Sequence, residues 1–478
     1  MINQNWFATI ALLLWPLVAL WLYQTRPVGK ATLGTILGAL LLLPVGAFVK
    51  LAPGIPQLDK ISIPNLAALV GCFFFVRRPL RFWNGFGLPE VFLLMLMIGP
   101  FITSQLNGDV VRSGSVILPS VGNYDALSAV VGEFIFLIPF FLGRQVLRNT
   151  ADNADIFRAL VVAGLVYSLP MLFEIRMSPQ LHHWIYGYEP SSFFQQIRDG
   201  GFRPVVFLGH GLTVAFFTMT AVLAATTLWR LRASVVRLPA AGVTVYLGMM
   251  LILCKSLAAL IYGLIFSPLV RWASPRLQVR IALVLVGFAL LYPLLRSADL
   301  VPTTAIVDIV DTVDADRAYS LKVRFAQEHQ LLDRASQRPL FGWGRFGRAR
   351  IYDDYRNDIS LTDGRWIITL GSSGLFGFIA EFGLLTFCVF RAASALKFTT
   401  SEGDRILLAT LTLILAINIF DLVPNAWLTP WTWLLAGATL GRAEALRRAT
   451  QAELRMSKWM NSKRHREAIA AIRSNSSG

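Results

Sequence analysis

The segment RPLFGWGRFGRAR at 338–350 combines four arginines with three glycines and contains no acidic residue. A guanidinium group presents a planar pair of donors that matches phosphate oxygens, and it keeps its charge at any physiological pH. Glycine lets the backbone turn tightly beside a bound group. Because the cations of this segment have no acidic neighbours within it, its composition predicts a binding site for a phosphate or diphosphate.

The cations on either side of this segment are also mostly arginine. From Arg317 to Arg365 there are ten basic residues, and Lys322 is the only lysine among them. Acidic residues such as Asp308 and Asp353 occur in and beside this region, so an alternative is a solvated loop that balances its own charge. The residues that we predict to contact a diphosphate or its glycan are Arg317, Arg338, Trp343, Arg345, Arg348 and Arg365, with Arg198 from an earlier loop.

Two other patterns suggest cofactor or metal chemistry at first sight. Residues 342–347 match the G-x-G-x-x-G pattern of dinucleotide-binding proteins, which requires a preceding strand and a following helix. Here a helix-like segment and Pro339 precede the glycines, so we predict an irregular turn and no dinucleotide. His182, His183 and His210 lack acidic or cysteine partners at ligand spacing, and the three cysteines lie far apart. We therefore predict neither a metal site nor a disulfide.

Outside this loop the chain is too apolar for a soluble protein. It is 55% hydrophobic with a mean hydropathy of +0.57, and only 15% of its residues are charged, against about a quarter in soluble domains. Its apolar runs approach or exceed the ~20 residues that span a bilayer, where helices satisfy their own backbone groups. We therefore predict an all-α, polytopic transmembrane bundle. The net charge of +16 is expected beside anionic lipid headgroups, so it does not argue for nucleic acid.

Basic clusters recur along the chain and set its expected topology. Positive residues concentrate on the cytoplasmic side of a membrane, and two apolar runs separate each cluster from the next. The thirteen predicted spans are 6–23, 31–49, 62–76, 88–104, 123–143, 157–173, 204–228, 239–253, 257–270, 280–296, 366–390, 406–421 and 428–441. The first is expected to be a retained helix rather than a signal peptide, because it lacks a basic start and a cleavage site. The N-terminus is then outside and the C-terminal tail inside.

One apolar stretch, 239–270, is interrupted by Lys255 and Ser256. A single long helix over this stretch would place Arg271 and Arg276 outside the membrane, against the positive-inside rule. A tight hairpin at Lys255 keeps both arginines inside. We predict the hairpin.

Residues 1–441 are predicted to form a single transmembrane domain with two long outer loops, at 174–203 and 297–365. A connection of nearly seventy residues is too long to be passive, so we expect the loop at 297–365 to be catalytic. The middle of this loop has helical apolar spacing that stops at Pro339.

The C-terminal segment 442–478 is predicted to be a basic cytoplasmic tail. Its arginines and lysines alternate with apolar residues in a pattern typical of an amphipathic helix on a membrane surface. Residues 474–478 are expected to be frayed.

Isolated charged residues at the membrane edge are further candidates for function. Arg203 lies where the first long loop re-enters the membrane, and it either binds substrate or anchors the helix by reaching towards the surface. Glu133, Glu381 and Asp421 fall in or near apolar spans. Acids in such places are functional candidates, or they form hydrogen bonds to a neighbouring helix.

From Arg324 onward the chain resembles the O-antigen ligase and polymerase superfamily of bacterial surface polysaccharide enzymes. The family pattern has an arginine opening a helix, then rPlfGwG, then a polar residue before the next span, and GxxG inside that span. This chain has Arg324, RPLFGWG at 338–344, Asp363, and GLFG at 374–377. The family usually has a histidine, in a His-Asn pair, where this chain has Asp363. Arg203 matches by its place a family arginine that closes an earlier outer loop.

The resemblance covers about 200–390 and implies a metal-independent glycosyltransferase of the membrane GT-C type. Such an enzyme works at the outer face of the bacterial inner membrane on undecaprenyl-diphosphate-linked oligosaccharides. Membrane lipids and other polysaccharide-export components are the implied partners, and no cofactor is implied. Arg324 and Arg203 would stabilise the departing diphosphate. Asp363 would take the acceptor's proton in place of the family's histidine, or would only bind a sugar hydroxyl.

Within this superfamily we favour a polymerase that joins repeat units of an exopolysaccharide or O-antigen, because it has to hold two lipid diphosphates and the outer loops are rich in arginine. The alternative is an O-antigen ligase that transfers the glycan to lipid A core. A transporter or flippase of lipid-linked sugars is an alternative of another class. Transporters bind near the midplane on broken helices, often in inverted repeats, and the sequence has no visible repeat. A structural scaffold would explain neither the arginine bias nor the long loop.

Overall fold

The computed structural model describes residues 5–50, 56–76, 80, 85–198, 200–235, 237–312, 314–360 and 362–475. The chain is mostly helical, which confirms the all-α prediction at that level. The α-helices of the described residues are α1 Trp6–Thr25, α2 Val28–Leu42, α3 Ser62–Phe75, α4 Leu88–Gln105, α5 Asn123–Val146, α6 Thr150–Met177, α7 Leu181–Tyr186, α8 Gly211–Arg230, α9 Ala240–Leu253, α10 Leu257–Trp272, α11 Pro275–Ser297, α12 Thr303–Asp311, α13 Ala315–Ser336, α14 Arg365–Ala395, α15 Glu402–Asp421 and α16 Pro430–Asn475.

Short antiparallel hairpins lie in the loops between these helices. They pair β1 (Phe48–Val49) with β2 (Leu58–Asp59), β3 (Val111–Ser113) with β4 (Val116–Leu118), β5 (Ile197–Arg198) with β6 (Gly201–Phe202), and β7 (Ser234–Val235) with β8 (Leu238–Pro239). The β3–β4 hairpin contacts the long loop, where the Ser113 hydroxyl donates to the Arg350 carbonyl over 3.4 Å. This hairpin therefore belongs to the same surface as the predicted site.

Eight helices of the described residues are long and apolar enough to cross a membrane. They are α1, α4, α5, α6, α8, α11, α15, and α14 with the short turn that follows it. Four further apolar helices, α2, α3, α9 and α10, are shorter. Each of the thirteen predicted spans overlaps a helix, although 31–49 runs past the end of α2 and 204–228 begins before α8. The number of crossings stays a prediction.

The helix ends gather at two faces of the bundle, and the first holds both long loops. The turn before α3 contacts the segment before α8, where Lys60 Nζ donates to the Phe207 carbonyl over 2.7 Å. The end of α4 contacts the long loop, where the Thr103 hydroxyl donates to the Phe341 carbonyl over 2.7 Å. We call this side, defined by these four residues, the loop face.

The second face holds the opposite ends of the same helices and many of their arginines. Arg144 near the end of α5 pairs with Glu90 at the start of α4, with 2.8 Å between nitrogen and oxygen. Arg442 of α16 pairs with Asp404 at the start of α15. We call this side the basic face. The chain passes from one face to the other with successive helices. It returns to the basic face at the basic clusters, in the order in which they occur in the sequence.

The chain reverses direction between α9 and α10. Lys255 adopts a φ of +50° at this turn, and its carbonyl accepts two hydrogen bonds from Arg203 on the loop face. The far end of α10 lies on the basic face, where the Val270 and Ala273 carbonyls accept hydrogen bonds from Arg230 at the end of α8. The structure therefore has the predicted hairpin at Lys255 and not one continuous helix.

The long loop contains α12 and α13, and α13 ends at Ser336, shortly before Pro339. Two contacts fix α13 against the end of α11. Arg296 Nη2 donates to the Phe325 carbonyl over 3.0 Å, and the Tyr292 hydroxyl donates to Glu328 over 3.1 Å. These contacts hold the middle of the long loop on the loop face.

The predicted tail helix is the end of α16. This helix runs from Pro430 to Asn475 as one element, with no interruption at position 442. Residues 451–460 are exposed. Residues 476–478, the last part of the predicted frayed end, lie outside the described residues.

Candidate functional site

The RPLFGWG segment is hydrogen-bonded to a break in α14. The Trp343 and Gly344 N–H groups donate to the Gly371 and Ser372 carbonyls, each over 2.8 Å. In the other direction, the Leu375 N–H donates to the Pro339 carbonyl over 2.7 Å, and the Phe376 N–H donates to the Leu340 carbonyl over 3.0 Å. The break frees α14 backbone groups for these bonds, so the long loop is fixed to the membrane helix that follows it.

Two glycines make this contact possible. Gly374 has a φ of +64°, which interrupts α14, and a Cβ atom there would lie 2.4 Å from the Leu340 carbonyl group. A Cβ atom on Gly342 would lie 2.5 Å from the backbone of Ser372. Neither distance is sterically allowed, and the positive φ favours glycine. The two motifs that carry the family resemblance are therefore partners in one structural unit.

Trp343 is buried at the centre of this unit. The guanidinium groups of Arg334 and Arg338 both lie over its ring, at 3.7 and 4.4 Å from the ring centroid. Its Nε1–H donates to the Arg334 carbonyl over 2.7 Å. With its ring covered on this side by arginines and its polar hydrogen in use, Trp343 positions the loop.

Arg348 is fully buried, and its donors are all directed at protein groups. Nη1 donates to the Asp109 and Pro119 carbonyls over 2.7 and 2.8 Å, and Nη2 donates to the Asp109 carboxylate over 2.9 Å. Nε donates to the Trp343 carbonyl over 3.1 Å. These contacts do not support the prediction that Arg348 binds diphosphate, because no donor is left for a ligand.

Asp109 supplies the countercharge that the segment 338–350 lacks. Its carboxylate also accepts a hydrogen bond of 2.6 Å from Arg338, whose other terminal nitrogen donates to Asn107 over 2.6 Å. Partial burial acts to raise the pKa of Asp109, but the hydrogen bond from Arg338 and the charges of Arg338 and Arg348 outweigh it and lower that pKa. Arg338 and Arg348 therefore share one carboxylate, which compensates half of their combined charge.

Arg324 and Asp363 form an ion pair on the loop face. Arg324 Nε lies 2.9 Å from Asp363 Oδ2, and the two side chains are 38% and 41% exposed. Arg324 comes from the middle of α13, and Asp363 comes from the turn before α14. The two residues that the family pattern marks, nearly forty positions apart, thus meet at a position open to solvent and to a ligand.

Arg203 and His210 lie close to this pair. Arg203 is 7% exposed and donates to the Lys255 carbonyl from Nε and Nη2, over 3.2 and 3.0 Å. His210 caps α8, and its Nδ1 accepts the Leu212 N–H over 3.1 Å. A neutral His210 ring therefore carries its proton on Nε2.

The charges of Arg203, Arg324 and Asp363 influence the protonation of His210. Burial lowers the pKa of His210, the charges of Arg203 and Arg324 lower it further, and the charge of Asp363 opposes them. Neutral His210 is therefore favoured. The sequence does not indicate this role for His210, since no neighbouring residue in the sequence marks its proximity to Asp363.

Arg365 points into the bundle and not towards a ligand. Its Nε donates to Glu381 over 2.9 Å, and Glu381 also accepts a hydrogen bond of 2.9 Å from Thr369. The pair joins the two halves of α14 across the break at Gly374. Glu381 therefore braces its own helix, whereas the hydrogen-bonding alternative predicted a bond to a neighbouring helix. Glu133 has a buried carboxylate oxygen without a hydrogen-bond partner in the described part of the chain.

The remaining arginines that we predicted to contact the diphosphate or glycan differ in how freely they can reach a ligand. Arg317 pairs locally with Asp314 at the start of α13, at 2.9 Å. Arg345 is exposed and makes one long hydrogen bond of 3.4 Å to the Asp125 carbonyl. Arg198 is exposed on β5. Arg345 and Arg198 could therefore reach a ligand on the loop face, whereas Arg317 mainly caps its own helix.

Two adjoining cavities lie next to the site. The first, of about 790 Å³ with its open mouth included, is lined in part by Asp421, Asn425 and Thr220. The second, of about 750 Å³ on the same measure, is lined in part by Lys60 and Asn65. The residues that line both cavities are Leu40, Leu208, Thr213, Trp427 and Thr429.

Trp427 connects the cavities with the charged cluster. Its ring lies 5.8 Å from the His210 ring, centroid to centroid, and its side chain is 41% exposed. An exposed aromatic ring beside polar groups is a suitable surface for a sugar ring or for the first units of a lipid chain. The cluster can thus hold an anion, and the cavities can hold less polar parts of the same ligand.

In the described residues, no group of three or more His, Cys, Asp or Glu side chains could hold a metal ion. No protein-family model matches the chain, and no curated protein matches it in a sequence search.

Proposed function

We propose that this protein is a glycosyltransferase that polymerises undecaprenyl-diphosphate-linked repeat units of a surface polysaccharide at the outer face of a bacterial inner membrane. The observation that supports it is the meeting of Arg324, Asp363, Arg203 and His210, from separate segments of the chain, beside two largely apolar cavities. Cations for a diphosphate, a carboxylate for a proton and apolar space for a lipid chain are the groups that this reaction needs.

In the proposed reaction an acceptor hydroxyl attacks the anomeric carbon of the donor glycan. A bond forms between the hydroxyl oxygen and this carbon, and the bond from the carbon to the diphosphate oxygen breaks. The lipid diphosphate leaves with the electron pair, and Asp363 takes the hydroxyl proton. Fixed cations that face the leaving oxygen stabilise the charge that develops there, an effect that is often worth several kcal/mol.

The Arg324–Asp363 ion pair determines which step of this reaction comes first. Without substrate, Arg324 stabilises the Asp363 carboxylate at 2.9 Å. A diphosphate is a stronger partner for a guanidinium fork, so donor binding draws Arg324 away from Asp363. The carboxylate is then released to act as a base only when the donor is bound.

Arg203 and His210 complete the anion site from the other side. Arg203 is held by the Lys255 carbonyl, so its position is fixed before substrate arrives. Neutral His210 directs its Nε2–H, a donor without a charge, at the Gln195 amide oxygen over 3.4 Å, a long hydrogen bond that one to a diphosphate or sugar oxygen can replace. Arg345 and Arg198 remain as exposed cations for the outer phosphate or the glycan.

The experiment that tests the polymerase function is deletion of the gene, followed by analysis of the lipid-linked and surface glycans. We expect single repeat units on the lipid carrier or on the cell surface and no long chains. If full-length polymer accumulates on undecaprenyl diphosphate instead, the protein is a ligase and the polymerase proposal is wrong.

Asp363→Asn tests the chemistry separately. The amide keeps the shape of the carboxylate but takes up no proton, so we expect polymer formation to fall by at least about a hundredfold. Protein in the membrane must remain at the wild-type level. Near-normal turnover would exclude general-base catalysis by Asp363 and would leave it as a ligand of a sugar hydroxyl.

A further inference from the structure

Lys60 is a cation without a carboxylate partner at the edge of the second cavity. Its Nζ donates to the Phe207 carbonyl over 2.7 Å, and no ion pair involves it among the described residues. Lys60 is half-buried, and most of the fully buried cations of the described chain, such as Arg144 and Arg296, have an acidic partner. A partly desolvated charge without a partner is costly, so its presence at a cavity needs a reason.

The cavity beside Lys60 has further unused polar groups. The Thr213 hydroxyl and the Asn65 amide oxygen are buried and have no hydrogen-bond partner in the described part of the chain. The other lining residues are mostly apolar and include Ile36, Leu40, Val45 and Leu428. An apolar cavity with one cation and a hydroxyl donor suits a ligand with an anionic head and a hydrocarbon chain.

The site at Lys60 is separate from the Arg324–Asp363 pair but communicates with it. Trp427 and Thr213 line both cavities, and the Trp427 ring packs against His210. A molecule with its head at Lys60 could therefore extend past Trp427 towards the charged cluster. Two anions held at the two positions would have their attached glycans near each other.

We propose that Lys60 and this cavity bind the diphosphate and first prenyl units of the acceptor's lipid carrier, so that the protein holds two lipid diphosphates at once. This inference rests on the proposed function, and it assigns the acceptor to Lys60 and the donor to Arg324 and Arg203. Burial alone lowers the pKa of Lys60 to about 7, so a neighbouring phosphate would restore its full charge. A ligase acting on a different acceptor lipid would have no use for a second prenyl diphosphate here.

The test measures how many molecules of undecaprenyl diphosphate the purified full chain binds, by native mass spectrometry and by titration with radiolabelled lipid. We expect two for the wild type. Lys60→Gln keeps a donor for the Phe207 carbonyl but removes the charge, so one molecule should bind at least about tenfold more weakly. Arg324→Ala should weaken the other molecule, and the double variant should lose both.

Control variants separate charge from folding. Lys60→Arg keeps a cation and should still bind two molecules, and Lys50→Gln removes an exposed lysine before the same hairpin loop and should bind as the wild type does. Thr213→Val changes only the unpartnered hydroxyl and should weaken the same molecule that Lys60→Gln weakens. It replaces Lys60→Gln as the test if that variant does not fold.

Three outcomes would overturn the inference. The first is a wild type that binds only one molecule, and the second is unchanged binding of two molecules by Lys60→Gln and Thr213→Val. The third is displacement of the lipid at Lys60 by phosphatidylglycerol as effectively as by undecaprenyl diphosphate, which would make this a site for ordinary anionic lipid. If instead Arg324→Ala changes nothing while Lys60→Gln removes one molecule, the donor site of the proposed function fails and the site at Lys60 stands.

Discussion

Arg324 and Arg348 are both arginines of the long loop, but their surroundings give them different roles. Arg324 is more than a third exposed and has one partner, Asp363, through Nε. Arg348 is fully buried and donates to five acceptors on three residues of the earlier loop and on Trp343. Arg324 can exchange its partner for a ligand. Arg348 cannot, because its present acceptors would be left without a hydrogen-bond partner.

Arg324→Ala should abolish polymer formation, with a loss of at least about a hundredfold, because the leaving diphosphate loses a fixed cation. Arg324→Lys keeps the charge without the planar fork, so it should restore only part of the activity. The measurement is the rate of polymer formation from lipid-linked oligosaccharide in membranes that contain equal amounts of each variant. Arg356→Ala, an exposed arginine of the same loop, is the control. Full activity in Arg324→Lys would mean that any cation suffices.

Arg348→Gln should lower stability by about 3–5 kcal/mol, because Asp109 and several carbonyls lose a buried partner. The measurement is thermal denaturation of the purified protein in detergent. Arg350→Gln is the matched control, since Arg350 also pairs with an aspartate, Asp358, but is half exposed. An exposed pair contributes less than about 1 kcal/mol, so this control should melt near the wild type. Equal melting of the two variants would contradict a structural role for Arg348.

The sequence marks candidate residues better than it marks their partners. Local motifs are enough to single out Arg324 and Asp363, and the structure brings these two residues together. The burial of Arg348 could not be predicted, since its acidic partner Asp109 lies 239 positions earlier in the chain. The absence of acid within 338–350 indicated a free cationic surface, whereas in the structure Arg338 and Arg348 pair with Asp109, and Arg350 pairs with Asp358.

The element that organises the site is the broken helix α14 with the RPLFGWG segment bound to it. In the sequence, RPLFGWG and GLFG are two separate motifs, and nothing in either predicts that they bond to each other. Their contact is made by backbone groups, which leave no trace in side-chain patterns. Glycine at 342 and 374 is the visible signal, because both positions combine a positive φ with close backbone contact.

Gly374→Ala should push the RPLFGWG segment away from the break in α14 and reduce both activity and stability. The added Cβ atom would overlap the Leu340 carbonyl group. Alanine at a positive φ costs a further ~1–2 kcal/mol. The measurements are polymer formation and the melting temperature in detergent. Gly287→Ala in α11 is the control, because nothing lies within 4 Å of its added Cβ and alanine favours a helix by about 1 kcal/mol. Wild-type activity in Gly374→Ala would show that the break is dispensable.

At the scale of the molecule, the two long loops lie on the loop face, and the basic clusters between the apolar runs lie on the basic face. The order of basic clusters predicted this division, because the rule that orients a membrane helix acts on the short segments beside it. The hairpin at Lys255 follows from the same rule. The cavities beside Trp427 could not be predicted, since helices far apart in the sequence build them together.

The orientation of the whole bundle in a membrane is the last prediction, and single cysteines on the two faces test it. Tyr355→Cys lies on the long loop, where Tyr355 is 86% exposed, and Arg276→Cys lies at the exposed start of α11. In intact spheroplasts a membrane-impermeant maleimide should label the first variant and not the second. Labelling of both should appear once the membrane is opened. The wild type is the background control, since its three cysteines are buried. Equal labelling of the two variants in intact spheroplasts would contradict the topology, and with it the location of the site at the outer face.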